Sequence, residues 1–538
     1  MSNSRRSYWK TMVLGIAAIT LAPISTAWPG IYCVSDAVDL QTALNTAASS
    51  ADDDEIRMQL GTYFGEFRYL SGNDGDLRIL GGYNASDCTS RILDPSTYTI
   101  LDGSALVRPL WFSAYPTLTN ITINGVTLRN GDSTTSGAGG GLFVSTGGSV
   151  NISSSEITNN NGGGGAYINA AGGVTLENNL IDSNVSSSSG GGLSIWVGSG
   201  GIGAGGPIKI AGNTISNNSA SSGGGVFIDC PAGCVLSFLS NTLVGNIAES
   251  MAGGGGLHQV GGSTGYPTVA TYSNNLIAAN VATASLSHGG GLAAQLGDFS
   301  SLIITNNTVT DNGADSRGGV DIGGYPTDAA VVDIRNNIIW NNAATDGLGG
   351  DLWLNFFTTD FSLVTLLKND FDWSRFDIND FLSQLTIDPS NLNNEDPLFV
   401  DPLVVGVDPL FVDGVLVYPD YHISTSTSPV IDAGDNGAPG LPALDLDGND
   451  RIVDGDGDGV AVVDMGTYER EAMSCSVYLD KKSCQSDASC TWEGRPNTGL
   501  CVEAPPPVDC SAYDGDRAAC KGQPSCRWSP KDNLCLTK

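Results

Sequence analysis

Short apolar triplets, each set between polar residues, recur along the middle of the chain. From about Asn124 to Gly350 every copy reads roughly Asn-x-Ile-x-x-Asn, then a variable loop of Ser, Ala and Thr, then Gly-Gly-Gly and a brief apolar strand. The closing asparagines are Asn130, Asn160, Asn184, Asn218, Asn246, Asn280, Asn312 and Asn342, at intervals of 30, 24, 34, 28, 34, 32 and 30 residues. One unit therefore repeats with loop insertions. Three residues before those asparagines stand Thr127, Ile157, Ile181, Ile215, Leu243, Ile277, Val309 and Ile339, a column dominated by β-branched residues that suit a pleated, half-buried surface. Glycine clusters fall once per copy, where the backbone needs positive φ or a close approach.

A period of this length predicts a solenoid of stacked coils. Strands in successive coils lie about 4.8 Å apart, so eight coils give a rod section of about 40 Å. An inward asparagine can bond to its equivalent in the next coil and so escape the roughly 1–3 kcal/mol penalty of an unpaired buried group. Ahead of the array, Ser35 is the expected N-cap of an amphipathic helix carrying Leu40, Ala43, Leu44 and Ala47 on one face. Such a helix would cover the open end of the stack. Alternating segments at 56–60 and 77–80 read as the first strands, with repeats running from 118 to 354. From 355 to 391 the pattern is lost in a segment rich in Phe, Asp and Trp, read as a plug over the last coil, with a binding platform as the alternative.

Composition sharpens this division. Residues 1–27 have a basic start, an apolar core and a small-x-small close, and are expected to be a cleaved signal peptide, with Arg5-Arg6 resembling a twin-arginine signal. The expected units are then 28–117 (cap and first coils), 118–354 (repeats), 355–470 (last coils and a closing region) and 471–538 (a cysteine-rich tail). A net charge of −33 argues against nucleic acid as a partner, since binding phosphate needs Lys and Arg. No transmembrane span is expected in the mature chain, which is read as a monomer. The even total of 12 cysteines fits full pairing in an oxidising compartment. Cys33 is expected to pair with Cys88, and Cys230 and Cys234 are included among the paired residues. The tail holds two copies of a four-cysteine unit, Cys475, Cys484, Cys490 and Cys501, then Cys510, Cys520, Cys526 and Cys535. Each copy allows three pairings.

The tandem Asn-x-Ile-x-x-Asn and Gly-Gly-Gly segments resemble the right-handed parallel β-helix proteins of bacterial surfaces, including those with repeats similar to polymorphic outer-membrane proteins. The resemblance implies an all-β solenoid with a helical N-terminal cap. A second series closes it: Asn394 to Asp401, Asp408 to Asp413, Tyr421-His422-Ile423, Ser428 to Asp435, Asp445 to Gly448 and Asp464 to Glu469. This series is similar to the choice-of-anchor Q domain, which implies an architecture and no reaction.

The strongest chemical signal is Asp454-Gly455-Asp456-Gly457-Asp458-Gly459, whose carboxylates at alternate positions imitate a calcium loop. Its twelfth position is Met465 rather than an acid, so Asp464, Asp445 and Asp447 are candidates to complete a structural calcium shell. Enzymatic readings find less support. Between Asn130 and Gly350 the only basic residues are the scattered Lys209, Arg317 and Arg335, where a lyase would need a base along a groove. The acids Asp311, Asp315, Asp321 and Asp333 could supply a hydrolase pair only if two came within roughly 5–10 Å. His288-Gly289-Gly290-Gly291 and Gly261 to Gly265 match catalytic motifs, and Gly198 to Gly203 a dinucleotide fingerprint, without the strand-turn-helix context that gives those motifs meaning. No catalytic residue is assigned. The expected function is adhesion, or binding of a polysaccharide or cell-surface component, and the alternative is a polysaccharide lyase or hydrolase.

Overall fold

The computed structural model describes residues 30–470 apart from 85, 96–97, 135–136, 199–204, 251–252, 262–265, 325–329, 348–349, 357–362, 376, 379–383, 404–410, 413–414 and 417–418; in the tail it describes 481–484, 490–494, 499–503, 526–529 and 534–537. The expected signal peptide, the Gly261 to Gly265 and Gly198 to Gly203 motifs, and Cys475, Cys510 and Cys520 fall wholly or largely outside these residues.

Each coil places one strand in a 13-stranded sheet, one in a 12-stranded sheet and one in an 11-stranded sheet, all paired in parallel with the coils before and after; a short 5-stranded sheet joins five of them. Coil interiors are filled by matched columns. In the 11-stranded sheet Leu110, Leu142, Ala166, Leu193, Val226, Leu257, Leu292, Val320 and Leu352 lie in register, and all are buried. The rest of the rod repeats this rule.

The array is longer than the repeat pattern shows. It begins with the strand Gly30–Val34 and continues through Leu363–Leu367, Gln384–Ile387 and Leu392–Asn393, which extend the 13- and 12-stranded sheets. The segment 355–391 is therefore further coils and not a plug. Phe371 points into the core while Trp373 is exposed, so the aromatics that mask the pattern divide between the two sides of the wall.

The N-terminal helix is Ala37–Ser49, and its buried face is Leu40, Ala43, Leu44 and Ala47 as the spacing predicts. Its N-cap is Asp36, not Ser35. The Asp36 carboxylate accepts from the backbone N–H groups of Val38 and Asp39, whereas the Ser35 hydroxyl bonds to Asp39. Cys33 and Cys88 form the expected disulfide across the first coils, and Cys230 pairs with Cys234. Because 55 residues separate Cys33 from Cys88, replacing both by serine is expected to lower stability by about 2–4 kcal/mol, read as a reduced denaturation midpoint. In the tail, Cys490–Glu493 pairs with Leu500–Glu503 and Cys526–Ser529 with Leu534–Thr537, both antiparallel. Each copy thus contains one such hairpin, and Cys501 is disulfide-bonded.

Two asparagine ladders, not one, flank the 12-stranded sheet. The first runs Asn160, Asn184, Asn218, Asn246, Asn280, Asn312, Asn342; the second runs Asn179, Asn213, Asn241, Asn275, Asn307, Asn337, Asn369, Asn391. At Asn246 the Oδ1 accepts both the backbone N–H and the Nδ2 of Asn218, while its own Nδ2 donates to Asn280 Oδ1 and to the Ile215 carbonyl. Each rung is fully buried and fully satisfied. The residue before a rung takes positive φ, as at Asn159, Ser183, Asn217, Ala279, Asp311 and Asn341, which turns the wall by a sharp angle and explains the recurrent Asn-Asn pairs. The first repeat is misaligned by one residue in the sequence pattern: Arg129 pairs with Thr158 and Leu128 with Ile157, so Asn130 matches Asn159 and Leu128, not Thr127, fills the apolar column. Asn130 instead donates to Asp102.

After the last coil the chain doubles back as an arm, residues 394–470, lying along the outside of the rod. Phe399, Tyr421, Val430 and Met465 pack on Val244, Leu276 and Ile338. Thr467 exchanges bonds with Thr308, Asn306 donates to the carbonyls of Asp464 and Gly466, and the Tyr421 hydroxyl donates to Asp311. The closing motifs therefore serve a lateral seam.

Candidate functional site

The outer face of the 11-stranded sheet carries a file of rings. Register places Trp111, Phe143 and Tyr167 in one outward column with Phe227, His258, Ala293, Asp321 and Trp353 further along; Ser194 interrupts the column and Trp196, two residues on, leans across the gap. Ring centroids follow at 5.6, 5.3, 6.5, 5.7 and 5.5 Å from Trp111 to His258. Arg68 and Arg108 sit over the first ring, 4.8 and 4.9 Å from its centroid, a favourable cation–π arrangement. Phe227 and His258 are buried, and the other four rings are half-buried. In the sequence these rings stand one per coil behind loops of unequal length, so no fixed spacing reveals them.

Beyond His258 the large side chains give way to Ala293, and in the neighbouring outward column to Gly323, which opens a cleft of about 170 Å³. His288, Ala294, Gln295, Arg317, Asp321, Gly324 and Asn355 complete its lining. Arg317 Nη1 lies 3.2 Å from Asp321 Oδ2, and its guanidinium covers the Trp353 ring at 4.2 Å. His288 Nδ1 is 2.7 Å from the same Asp321 oxygen but off the line of its N–H, so that contact is electrostatic rather than a well-formed hydrogen bond. His258 stands behind the cleft with Nδ1 at 2.6 Å from the Ser222 hydroxyl and a buried, unpartnered Nε2. Burial, with the nearby His288 adding to it, pushes His258 down to about 4, so it is neutral at physiological pH. The fold thus brings together two histidines and an arginine that the sequence leaves unrelated.

The other enzymatic candidates do not converge. Asp311 lies beside the 12-stranded sheet under Tyr421, Asp315 follows the 5-stranded sheet and bonds to Thr345, Asp321 is on the 11-stranded sheet, and Asp333 is on the 13-stranded sheet against Arg335. Lys209 pairs with Glu177. The N–H groups of Gly289, Gly290 and Gly291 donate to the carbonyls of Arg317 and Gly318 in the next coil, so the His288 motif offers no oxyanion hole.

In the arm, Asp432, Asp454 and Asp456 each present an oxygen within 4.8 Å of the others. Asp432 already accepts from the N–H groups of Gly455 and Asp456, and burial, reinforced by the charge of Asp456, raises its pKa. Two of the sequence candidates, Asp454 and Asp456, are in this group, and Asp432 joins from the Ser428 to Asp435 motif. Asp458 is exposed and caps Val460; Asp464 accepts from Asp432 and Arg470. Asp445 and Asp447 are engaged elsewhere, Asp445 with Asn449 and Glu469, Asp447 with His422. His422 lies between Asp420 and Asp447 at 2.6 and 2.7 Å and stacks on Tyr468. Partial burial opposes its cation, but the two carboxylates outweigh that and raise its pKa.

Several buried acids are pushed toward their protonated forms. Burial raises Asp351 to about 6 and Asp370 and Asp464 to about 7; it also raises Glu469, helped by Asp464 and opposed by the guanidinium of its partner Arg451. Their unfolded values are near 4, so the folded chain binds more protons between those limits and stability falls as pH rises from about 4 through 7. Melting in chelator is expected at a higher temperature at pH 5 than at pH 8; the reverse order would contradict these assignments.

The stacked parallel sheets define a right-handed parallel β-helix. Residues 114–277 match the family model described as a right-handed beta helix region. Among solved structures, a crystal structure of pectate lyase Pel9A aligns at a TM-score of 0.35 and 12% identity, covering 83% of this chain and 97% of that one. No curated protein matches the sequence. Among the described residues no helix is long and apolar enough to cross a membrane.

Proposed function

We propose that the chain is a secreted or cell-surface β-helix protein that adheres to a glycan or glycan-bearing surface without cleaving it. The observation that carries this reading is the file of rings on the outside of the rod, where Trp111, Phe143, Tyr167 and Trp196 are only half-buried. Aromatic rings suit contact with the C–H groups of sugars, and an apolar strip left outside a core marks an interaction surface. The resemblance of about residues 330–470 to a choice-of-anchor Q domain supports display at a surface, and the apolar segment at 12–24 supports export. Calcium at Asp432, Asp454 and Asp456 would brace the arm; chelator is expected to lower the melting temperature of a calcium-loaded sample, and an unchanged transition would remove calcium from this account.

The test is retention of the mature protein on a panel of immobilised neutral and acidic polysaccharides, with product analysis. Retention that weakens several-fold in Trp196→Ala, at unchanged melting temperature, is expected. New reducing or unsaturated ends would overturn the non-catalytic reading in favour of cleavage at the His288, Arg317 and Asp321 cleft. Absence of retention on every polymer would overturn adhesion to glycans.

A further inference from the structure

We propose that the cleft at the end of the ring file is a binding site for a single neutral pyranose unit, a terminal or branch sugar of the glycan. This rests on the adhesive reading above and names its specific contact. The cleft exists because Ala293 and Gly323, on adjacent coils, stand in outward columns next to the larger His258 and Asp321 in one and Gln295 and Asn355 in the other. Its size, about 170 Å³, is well below the roughly 300–1,000 Å³ of sites for drug-sized molecules, and suits one ring rather than an oligosaccharide.

The lining has the chemistry that vicinal hydroxyls require. Asp321 accepts, Arg317 donates, and the exposed Gln295 amide does both, while the Ala293 methyl offers an apolar contact. Arg317 is held flat against Trp353, with its Nε buried and unpartnered, and His258 keeps a buried, unpartnered Nε2 behind the same wall. Buried polar groups normally have partners, and the Arg317 Nε without one in the lining points to a ligand or to water that a ligand hydroxyl replaces. Charge selects the class. Asp321 already neutralises Arg317, and the whole chain carries −33, so a uronate would meet a carboxylate with no spare cation, whereas a neutral sugar meets no such repulsion.

The experiment is saturation-transfer NMR of the full mature protein with methyl glycosides of glucose, galactose and mannose, and with glucuronate and galacturonate. Two variants are compared: Ala293→Phe, which restores to the column the kind of ring found at Phe227, and Gln295→Ala, at an exposed position where folding is not at risk. At least one neutral glycoside is expected to bind in the millimolar range, weakened ten-fold or more by Ala293→Phe and several-fold by Gln295→Ala, while retention on polymer through the ring file persists in both. Binding unaffected by both variants would overturn the site, as would a preference for the uronates. Polymer retention without any monosaccharide signal would overturn the cleft and leave the adhesive reading standing. Loss of polymer retention in the parent protein would overturn the adhesive reading itself.

Discussion

Asn246→Ala is expected to destabilise the rod by about 3–5 kcal/mol, because it leaves two fully buried donors of Asn218, the backbone N–H and one Nδ2 hydrogen, without an acceptor, each costing roughly 1–3 kcal/mol. The Ile215 carbonyl loses a donor in the same step. Asn246→Asp should behave differently. Its Oδ1 can still accept from Asn218, but its second oxygen would face Asn280 Oδ1 and the Ile215 carbonyl, so the variant needs a proton to fit. Its deficit should grow as pH rises from 5 to 8. The native chain shows where an aspartate is tolerated: Asp351 ends the first ladder, accepting from Asn342 through Oδ1 and from the Asp372 N–H through Oδ2, with no further asparagine oxygen to face. Guanidinium denaturation at both pH values measures these effects. An alanine variant within 1 kcal/mol of the parent would show that the ladder contributes little.

The second large effect is expected at Arg451. Its side chain is 1% exposed, bonded to the Glu469 carboxylate at 2.7 Å and to Asn274 Oδ1 at 2.5 Å, so it ties the arm's interior to the rod. Arg451→Met would leave Glu469, 0% exposed, beside Asp464 and Asp445 without its cation. Breaking one side of such a pair costs about 3–5 kcal/mol, whereas replacing both sides by neutral groups costs much less. The expected result is rapid proteolysis within 430–470 for Arg451→Met and substantial recovery in the Arg451→Met, Glu469→Gln double variant. Equal sensitivity of the two would mean that packing and not charge compensation governs the arm.

How much of this was legible in the residues differs from place to place. The repeat, the cap helix, the Cys33–Cys88 bridge and the inward asparagines follow from local pattern, because each coil imposes the same steric demand at the same step. The paired ladders were visible in the pattern Asn-x-Ile-x-x-Asn, whose first asparagine forms the second ladder. The coils beyond Leu354 were hidden because apolar residues such as Phe371 and exposed ones such as Trp373 are both aromatic, which erases the contrast between inside and outside. The approach of Asp432 to Asp454 and Asp456 was not legible because those two come from a different turn of the arm. The cleft was illegible for the same kind of reason: Arg317 and Asp321 are near in sequence, but His258, His288 and Trp353 come from other coils, and only parallel stacking with unequal loops decides which of them meet.

The arm also alters how the rod can come apart. A solenoid couples each unit only to its neighbours, so it frays from an end one unit at a time. Here a single segment is fastened to Asn274, Thr308 and Asn336, in three successive turns, and packs on Val244 in the turn before them. Loss of any one of those turns strips contacts from the others, so the four should open together as one cooperative block. Amide exchange should therefore report a common opening energy along them, in place of the gradient toward the end that an unfastened stack would show.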